Sequence, residues 1–263
     1  KYMAINIIND CQDPNATERQ IARAAALLDR PVNLIGVDSD LEAAGNLVDI
    51  IDAVGEHNGL ILANVAPRHR DAKKWPNGSP FGYFRYKKIL VITTIDGVIL
   101  SLVKKFSMIK EVEVMDMGPT LDRMIKSKIM TKEQRDHIVD SQFRSFDFLP
   151  RVAAHIVGGN SVVSQTLKVD EVKDAPKAVW WVDNFGNCKT TLVIGDVPEP
   201  NGKIQFGKFG SMPFYRRLKD VPDNKVAVVV GSSGIGDSRF LEIVMQGKSA
   251  AAKLKIKSGD LIF

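Results

Sequence analysis

The sequence predicts an α/β N-terminal domain with a central, mostly parallel sheet, followed by a small all-β, barrel-like C-terminal domain. Three observations predict it. Between residues 4 and 156, apolar strand-like runs alternate with segments whose apolar residues recur at helical spacing. Residues 165–177 are polar and charged, contain Pro176, and read as a linker. Beyond them come short strand-like runs separated by Gly, Pro and Asn turns. The domains are therefore expected at residues 1–164 and 178–263.

The elements follow in order. Residues 4–8 form a short apolar strand. Thr17 and Gln20 stand at capping-box spacing and open an Ala-rich helix that ends at Leu28. Residues 32–37 are a second strand. Residues 41–54 place Leu47, Ile50, Ile51 and Val54 on one helical face. Residues 59–65 and 89–93 are further strands, and Asp96-Gly97 turns the latter into a hairpin with residues 98–103. Helices follow at 121–128, 132–141 and 149–156, the second opened by Thr131 and Gln134. The second domain offers strands at 179–182, 188–194, 203–206, 212–218, 225–230 and 240–245, and one helix at 249–254.

Gly231-Ser232-Ser233-Gly234-Ile235-Gly236 follows an apolar strand and imitates a dinucleotide-binding loop. That loop has to open a helix inside a βαβ unit, with an acidic residue about 20 positions on. The residues after Gly236 read mostly as extended, so a flexible turn between two strands accounts better for the glycines.

The chain has 263 residues, 44% hydrophobic and 25% charged, enough to bury a substantial core. A formal charge of +5 suits an anionic partner without requiring one. Cys11 and Cys188 show no C-x-x-C spacing, which argues against a disulfide framework or a zinc ribbon and fits a reducing, cytoplasmic compartment. No apolar run approaches membrane-spanning length, and no membrane partner is expected. Lys1-Tyr2-Met3 leads directly into a strand, which predicts no signal peptide. His57, His69, His137 and His155 lack ligand spacing, so no metal is expected.

Candidate site residues begin with Val179-Trp180-Trp181-Val182-Asp183-Asn184-Phe185-Gly186-Asn187. An apolar strand here runs into a carboxylate, a glycine turn and a carboxamide, which can offer polar groups to a ligand or simply close a hairpin. Three more segments join it: Ile8-Asn9-Asp10, the run from Thr94 to Ser101, and the run from Leu241 to Ala251 that continues to Asp260. In order and spacing the four resemble the S-adenosylmethionine (SAM) hydroxide adenosyltransferases, which share their fold with the fluorinases and chlorinases. The family carries a strand ending in Thr-Asp, a Pro-Asn/Asp-Gly-Leu-Leu hairpin, an Asp-x-Phe-Gly-Asn signature and a Leu-Glu-Ile-Ala-Val-Asn-x-Gly-Ser-Ala-Ala ending.

The resemblance implies a homotrimer with SAM sites between subunits, SAM being substrate or ligand with no separate cofactor. One carboxylate can accept from both ribose hydroxyls, which makes Asp10 the ribose candidate. Asp183 suits the methionine ammonium, with Asn187 beside it. Gln246 offers a donor and an acceptor to an adenine edge, next to the accessible backbone of Gly247. Arg239 is the candidate for the ligand carboxylate. Capping by Asp10, turn stabilisation by Asn187 and a solvated Arg239 are the structural alternatives.

Cleavage at C5′ needs a positioned water or hydroxide. The family uses an Asp, an Arg and a His for this, and the matching positions here read Ala66, Lys73 and Phe143, or Arg144 if one gap is allowed. The chemistry has been rebuilt, or it has been lost while binding remains. His69, Lys73 and Arg144 are the catalytic candidates for a rebuilt site, His69 as base or water-positioner. Trp75, with Phe81, Tyr83, Phe84 and Tyr86, belongs to an insertion whose aromatics either stack on adenine or pack the loop onto the body. Three functions follow: a SAM hydrolase or adenosyltransferase, a catalytically silent SAM or adenosine sensor, and, as a minor alternative, a nucleic-acid module using Arg68, His69, Arg70, Lys73 and Lys74.

Overall fold

The computed structural model describes residues 3–65, 79–141, 143–197 and 202–263. They divide into two compact units, Lys1–Ala43 with Val54–Lys173, and Ala44–Ala53 with Asp174–Phe263. The N-terminal unit is α/β and the C-terminal unit is built on a β-sheet, as the sequence predicts.

The first unit contains strands β1 (Ala4–Asn9), β2 (Asn33–Gly36), β3 (Gly59–Asn64), β4 (Phe81–Tyr86), β5 (Ile89–Thr94), β6 (Glu111–Met115) and β7 (Ser164–Lys168). They form one seven-stranded sheet in the order β2-β1-β3-β5-β4-β6-β7. β2, β1, β3 and β5 pair in parallel, and β6 runs in their direction because β4 is antiparallel to both β5 and β6. β3 and β5 are buried along nearly their whole length, which is why they read as continuous apolar runs. Helices α1 (Pro14–Leu28) and α7 (Leu149–Val157) contribute Ala24, Leu149, Val152 and Ala153 to the core formed with Ile5, Leu60, Leu62 and Ile92.

Four local expectations need correction. Asp13, not Thr17, caps α1, its carboxylate accepting from Ala16 N–H at 3.1 Å. Gln20 is buried instead, tied to the Asn9 side chain and the Cys11 carbonyl. The hairpin partner of β5 is β4, which precedes it and turns through Lys87 at φ 53°. Residues 101–105 form the short helix α3 (Ser101–Lys105), because Asp40 Oδ2 accepts from Val98 N–H at 2.8 Å and redirects the chain after Gly97. Phe81 and Phe84 pack into the sheet as β4 residues. The expected linker begins as β7, an exposed edge strand whose Ser164 and Thr166 hydroxyls donate to Glu113 at 2.6 and 2.9 Å. An edge strand wet on its outer side carries polar residues, hence the linker-like composition. Thr131 and Gln134 do form the reciprocal capping box, opening α5 (Lys132–Asp140). Helix α4 (Met117–Lys126) follows β6, and α6 (Arg144–Asp147) leads into α7.

The second unit contains β8 (Val179–Val182), β9 (Cys188–Val193), β10 (Lys203–Gln205), β11 (Ser211–Tyr215), β12 (Val226–Ile235) and β13 (Ser238–Met245), in the order β10-β11-β12-β13-β9-β8, with α8 (Ala250–Leu254) after β13. Its core gathers Val179, Leu192, Ile204, Phe206, Val228, Leu241 and Ile243. The glycine-rich run is not a turn as a whole. Gly231 to Ile235 continue β12 past a register shift. A β-carbon at Gly231 would stand 2.2 Å from Glu242 Oε1, so the glycine there makes room for a buried carboxyl.

Residues 44–53, the body of helix α2 (Asp40–Val54), belong to this unit. Gly45 lets Trp180 lie against the helix; a β-carbon would meet Trp180 Cε3 at 2.1 Å. Asp49 accepts from Ser233 Oγ and Gly234 N–H at 2.7 and 2.9 Å. Asp52, one turn on, accepts from Gly236 N–H and Arg239 Nη1 at 2.9 and 2.7 Å. Two acidic residues on one helical face thus hold the β12–β13 hairpin. Among the described residues no helix is long and apolar enough to cross a membrane.

Candidate functional site

The β8–β9 connection is the turn from Asp183 to Asn187. Val182 pairs with Cys188, so the turn begins as soon as the ladder stops. Asp183 N–H donates to the Asn187 carbonyl at 3.0 Å, and Gly186 N–H to the Asp183 carbonyl at 2.9 Å. Asp183 Oδ1 accepts from the N–H groups of Phe185 and Asn187, each at 2.9 Å, and Oδ2 accepts from Asn187 Nδ2 at 3.0 Å. The carboxylate therefore organises its own loop, the Asx pattern expected of aspartate in a turn. Gly186 sits at φ 81°.

A second loop lies beside it. β13 ends at Met245, and Lys248 N–H donates to the Met245 carbonyl at 3.2 Å, closing a turn around Gln246 and Gly247. Gly247 supplies the φ of 75° that such a turn requires at its third position. The Gln246 carbonyl accepts from Asn224 N–H at 3.0 Å. Ser249 then caps α8, accepting from Ala252 N–H at 3.0 Å. Ala251 N–H donates to the Gly186 carbonyl at 2.9 Å, so the two loops are tied directly.

With Leu218 they line an open cavity of about 470 Å³, whose walls are Phe185, Asn187, Leu218, Met245 and the run from Gln246 to Ser249. That volume lies in the range of small-molecule sites. Phe185 is 71% exposed, which is unusual for a phenylalanine without a partner surface. Its ring and the flexible Met245 and Leu218 side chains offer an apolar face, while Asn187 and Gln246 offer amides.

Cys188 borders the turn but is not a nucleophile. Burial, and then the charges of Asp183, Asp260 and Glu242, push its thiol up to about 12, so it stays protonated. Glu242 is buried in β13, and its carboxyl pKa is raised, chiefly by desolvation; the Asp183 and Asp49 charges act the same way, and Lys189 opposes them. Lys189 donates to Ser233 Oγ and stands 3.6 Å from Asp49.

Of the expected site residues, the structure brings Asn187, Gln246 and Gly247 to one cavity, with Asp183 immediately behind Asn187. Arg239 does not line it; its guanidinium is held by Asp52 and by the Ser232 carbonyl at 3.0 Å. Asp10 follows β1 in the α/β unit, half-buried, its N–H donating to the Asn64 carbonyl at 3.4 Å. Arg144 opens α6 in the same unit and donates to the Ser79 carbonyl at 2.9 Å. Phe143 stacks on Phe146 at 5.4 Å. Ala66, His69, Lys73 and Trp75 lie outside the described residues. Sequence reasoning passed over Phe185, although it stands inside the quoted motif, and over Leu218 and Lys248, which carried no signal of their own. Among the described residues no three or more His, Cys, Asp or Glu side chains gather as metal ligands.

Residues 177–263 match the family model of the SAM hydroxide adenosyltransferase C-terminal domain, about a third of the chain. The whole chain shares its fold with two solved structures. An uncharacterized conserved protein from Thermotoga maritima superposes with a TM-score of 0.67 at 16% identity, over 97% of this chain and 98% of that one. A conserved hypothetical protein from Thermus thermophilus gives 0.63 at 19% identity, over 98% of each. No curated protein matches the chain.

Proposed function

We propose that this protein, whose residues 177–263 match the SAM hydroxide adenosyltransferase C-terminal-domain model, binds SAM and cleaves it to adenosine and methionine, or transfers the adenosyl group to a small nucleophile. The observation that carries the reading is the cavity in which Asn187, Gln246, Gly247 and the exposed Phe185 ring meet. A nucleoside needs a flat apolar surface and an edge of paired donors and acceptors. Phe185 supplies the surface, and Gln246 with the Gly247 backbone supplies the edge. Asn187, held by Asp183, is pre-oriented for a polar group of the ligand.

The finer reading extends to assembly and chemistry. The protein forms a homotrimer in which Asp10 of one copy meets the ribose of a nucleoside held by a neighbouring copy. His69 positions or deprotonates the attacking water, and Lys73 adds positive charge beside it. Arg144 suits holding an anion rather than moving a proton, since a guanidinium stays protonated. Arg239 serves the fold through Asp52.

The silent alternative rests on Ala66, Lys73 and Phe143 standing where the family has an Asp, an Arg and a His. Incubation of purified protein with SAM, followed by chromatography, separates the two readings. Adenosine and methionine in equal amounts support the enzyme. SAM binding without turnover supports the sensor, and absence of both overturns the proposal.

A further inference from the structure

The α/β unit holds a cavity of about 320 Å³, of whose lining the SAM reading uses Arg144 alone. Its apolar walls are Phe81, Met115 and Phe148, all buried. Phe81 pairs with Thr94 at the end of β5, and Val114 at the end of β6 pairs with Gln165. The cavity thus lies at the carboxyl edge of the sheet's parallel strands, where α/β sheets hold ligands. The first turn of α4 lines it through Met117 and Gly118, and the exposed Asp116 makes no capping hydrogen bond to that turn.

Arg144 gives this cavity its chemistry. The guanidinium donates to the Ser79 carbonyl and lies over the Phe81 ring, 5.5 Å from its centroid. Among the described residues no carboxylate pairs with it. Burial lowers its pKa. A half-buried guanidinium that spends a donor on a backbone carbonyl keeps other fork donors for an anion, which would bind there in a geometry a carboxylate matches.

We infer that this cavity binds a small monocarboxylate with an apolar body, a branched aliphatic or aromatic acid, its carboxylate on the Arg144 fork and its body against Phe81, Met115 and Phe148. A single guanidinium with Asp116 on the rim disfavours a dianion such as phosphate, and the apolar walls have no use in binding one. The inference shares Arg144 with the SAM reading, which also gives that residue an anion to hold, but acid binding and SAM turnover are read separately, so either can fail without the other.

The test is calorimetric titration of the whole chain with isovalerate, phenylacetate, phenylacetamide and inorganic phosphate. The acids are expected to bind saturably, and the amide about tenfold more weakly or worse, since only the acid makes charge-assisted bonds. Arg144→Gln is expected to weaken the acids by a similar factor. Gly118→Leu keeps the guanidinium but fills open space, since no atom lies within 4 Å of a β-carbon there, and is expected to abolish binding. This second variant decides the matter if the first does not fold. No binding of either acid at millimolar concentration, an amide equal to its acid, phosphate binding tighter than the acids, or Gly118→Leu binding like the wild type would each overturn the inference.

Discussion

Gly186 stands against Ser249 so closely that a β-carbon on the glycine would fall 1.9 Å from the serine hydroxyl. This contact joins the turn after β8 to the N-cap of α8, and so joins two segments more than sixty positions apart in sequence. The cavity of the proposed site exists because the two loops meet there. Gly186→Ala would have to adopt φ 81° and also displace Ser249. It is expected to cost about 1–3 kcal/mol in chemical denaturation and to lose SAM affinity in proportion.

Asp183 holds three donors of its own turn. Asp183→Ala leaves the Phe185 and Asn187 N–H groups and the Asn187 amide without their acceptor. A loss of about 1–3 kcal/mol is expected from unmet partners, measured as a shift of the urea midpoint. Asn187→Ala removes a single donor and is expected to cost less than Asp183→Ala while still weakening ligand binding. Equal stability losses in the two variants would contradict this division of labour.

Glu242 makes stability depend on pH. Its folded pKa is raised above the ordinary 4.5, chiefly by burial. The stability it contributes is therefore fully present below that value and is lost as pH rises through the folded pKa. Glu242→Gln escapes that loss. The variant is expected to match the wild type at acidic pH and to become the more stable of the two as pH rises, read from denaturation midpoints across a pH series. A gap that stays constant with pH would contradict the raised pKa.

Arg239 pairs with Asp52 at 2.7 Å, with both side chains about a quarter to a third exposed. Arg239→Met is expected to cost on the order of 1 kcal/mol or less, as half-exposed pairs do, and to leave SAM affinity unchanged. A large loss of affinity with little loss of stability would return Arg239 to the ligand.

Much of this was legible in the sequence because it depends on local pattern. β3 and β5 are buried on both faces, so their apolar runs announced them. The Asp183 turn and the Thr131 capping box carry their geometry in residue spacing. What was not legible depends on partners far along the chain. β7 looks like a linker because an edge strand shows its polar side to water. Residues 101–105 coil into a helix because Asp40, distant in sequence, captures Val98. Of the glycines after Val230, Gly231 makes room for a buried Glu242, and only Gly236, at φ 54°, stands in the turn between β12 and β13. Of the residues that line the candidate cavity, Asn187 and Gln246 could be named from the sequence, while the exposure of Phe185 and the engagement of Arg239 by Asp52 are facts of packing.

The most direct measurement is the affinity of SAM for the wild type and for Phe185→Ala. The ring is 71% exposed, so its removal should leave the melting temperature unchanged. If it stacks on the adenine, its loss is expected to cost about 1–3 kcal/mol of binding, roughly a tenfold or greater rise in Kd. Saturable binding of SAM that weakens to that extent at constant stability is the predicted result. Absence of binding to the wild type, or an identical Kd in Phe185→Ala, would contradict the placement of the nucleoside in this cavity.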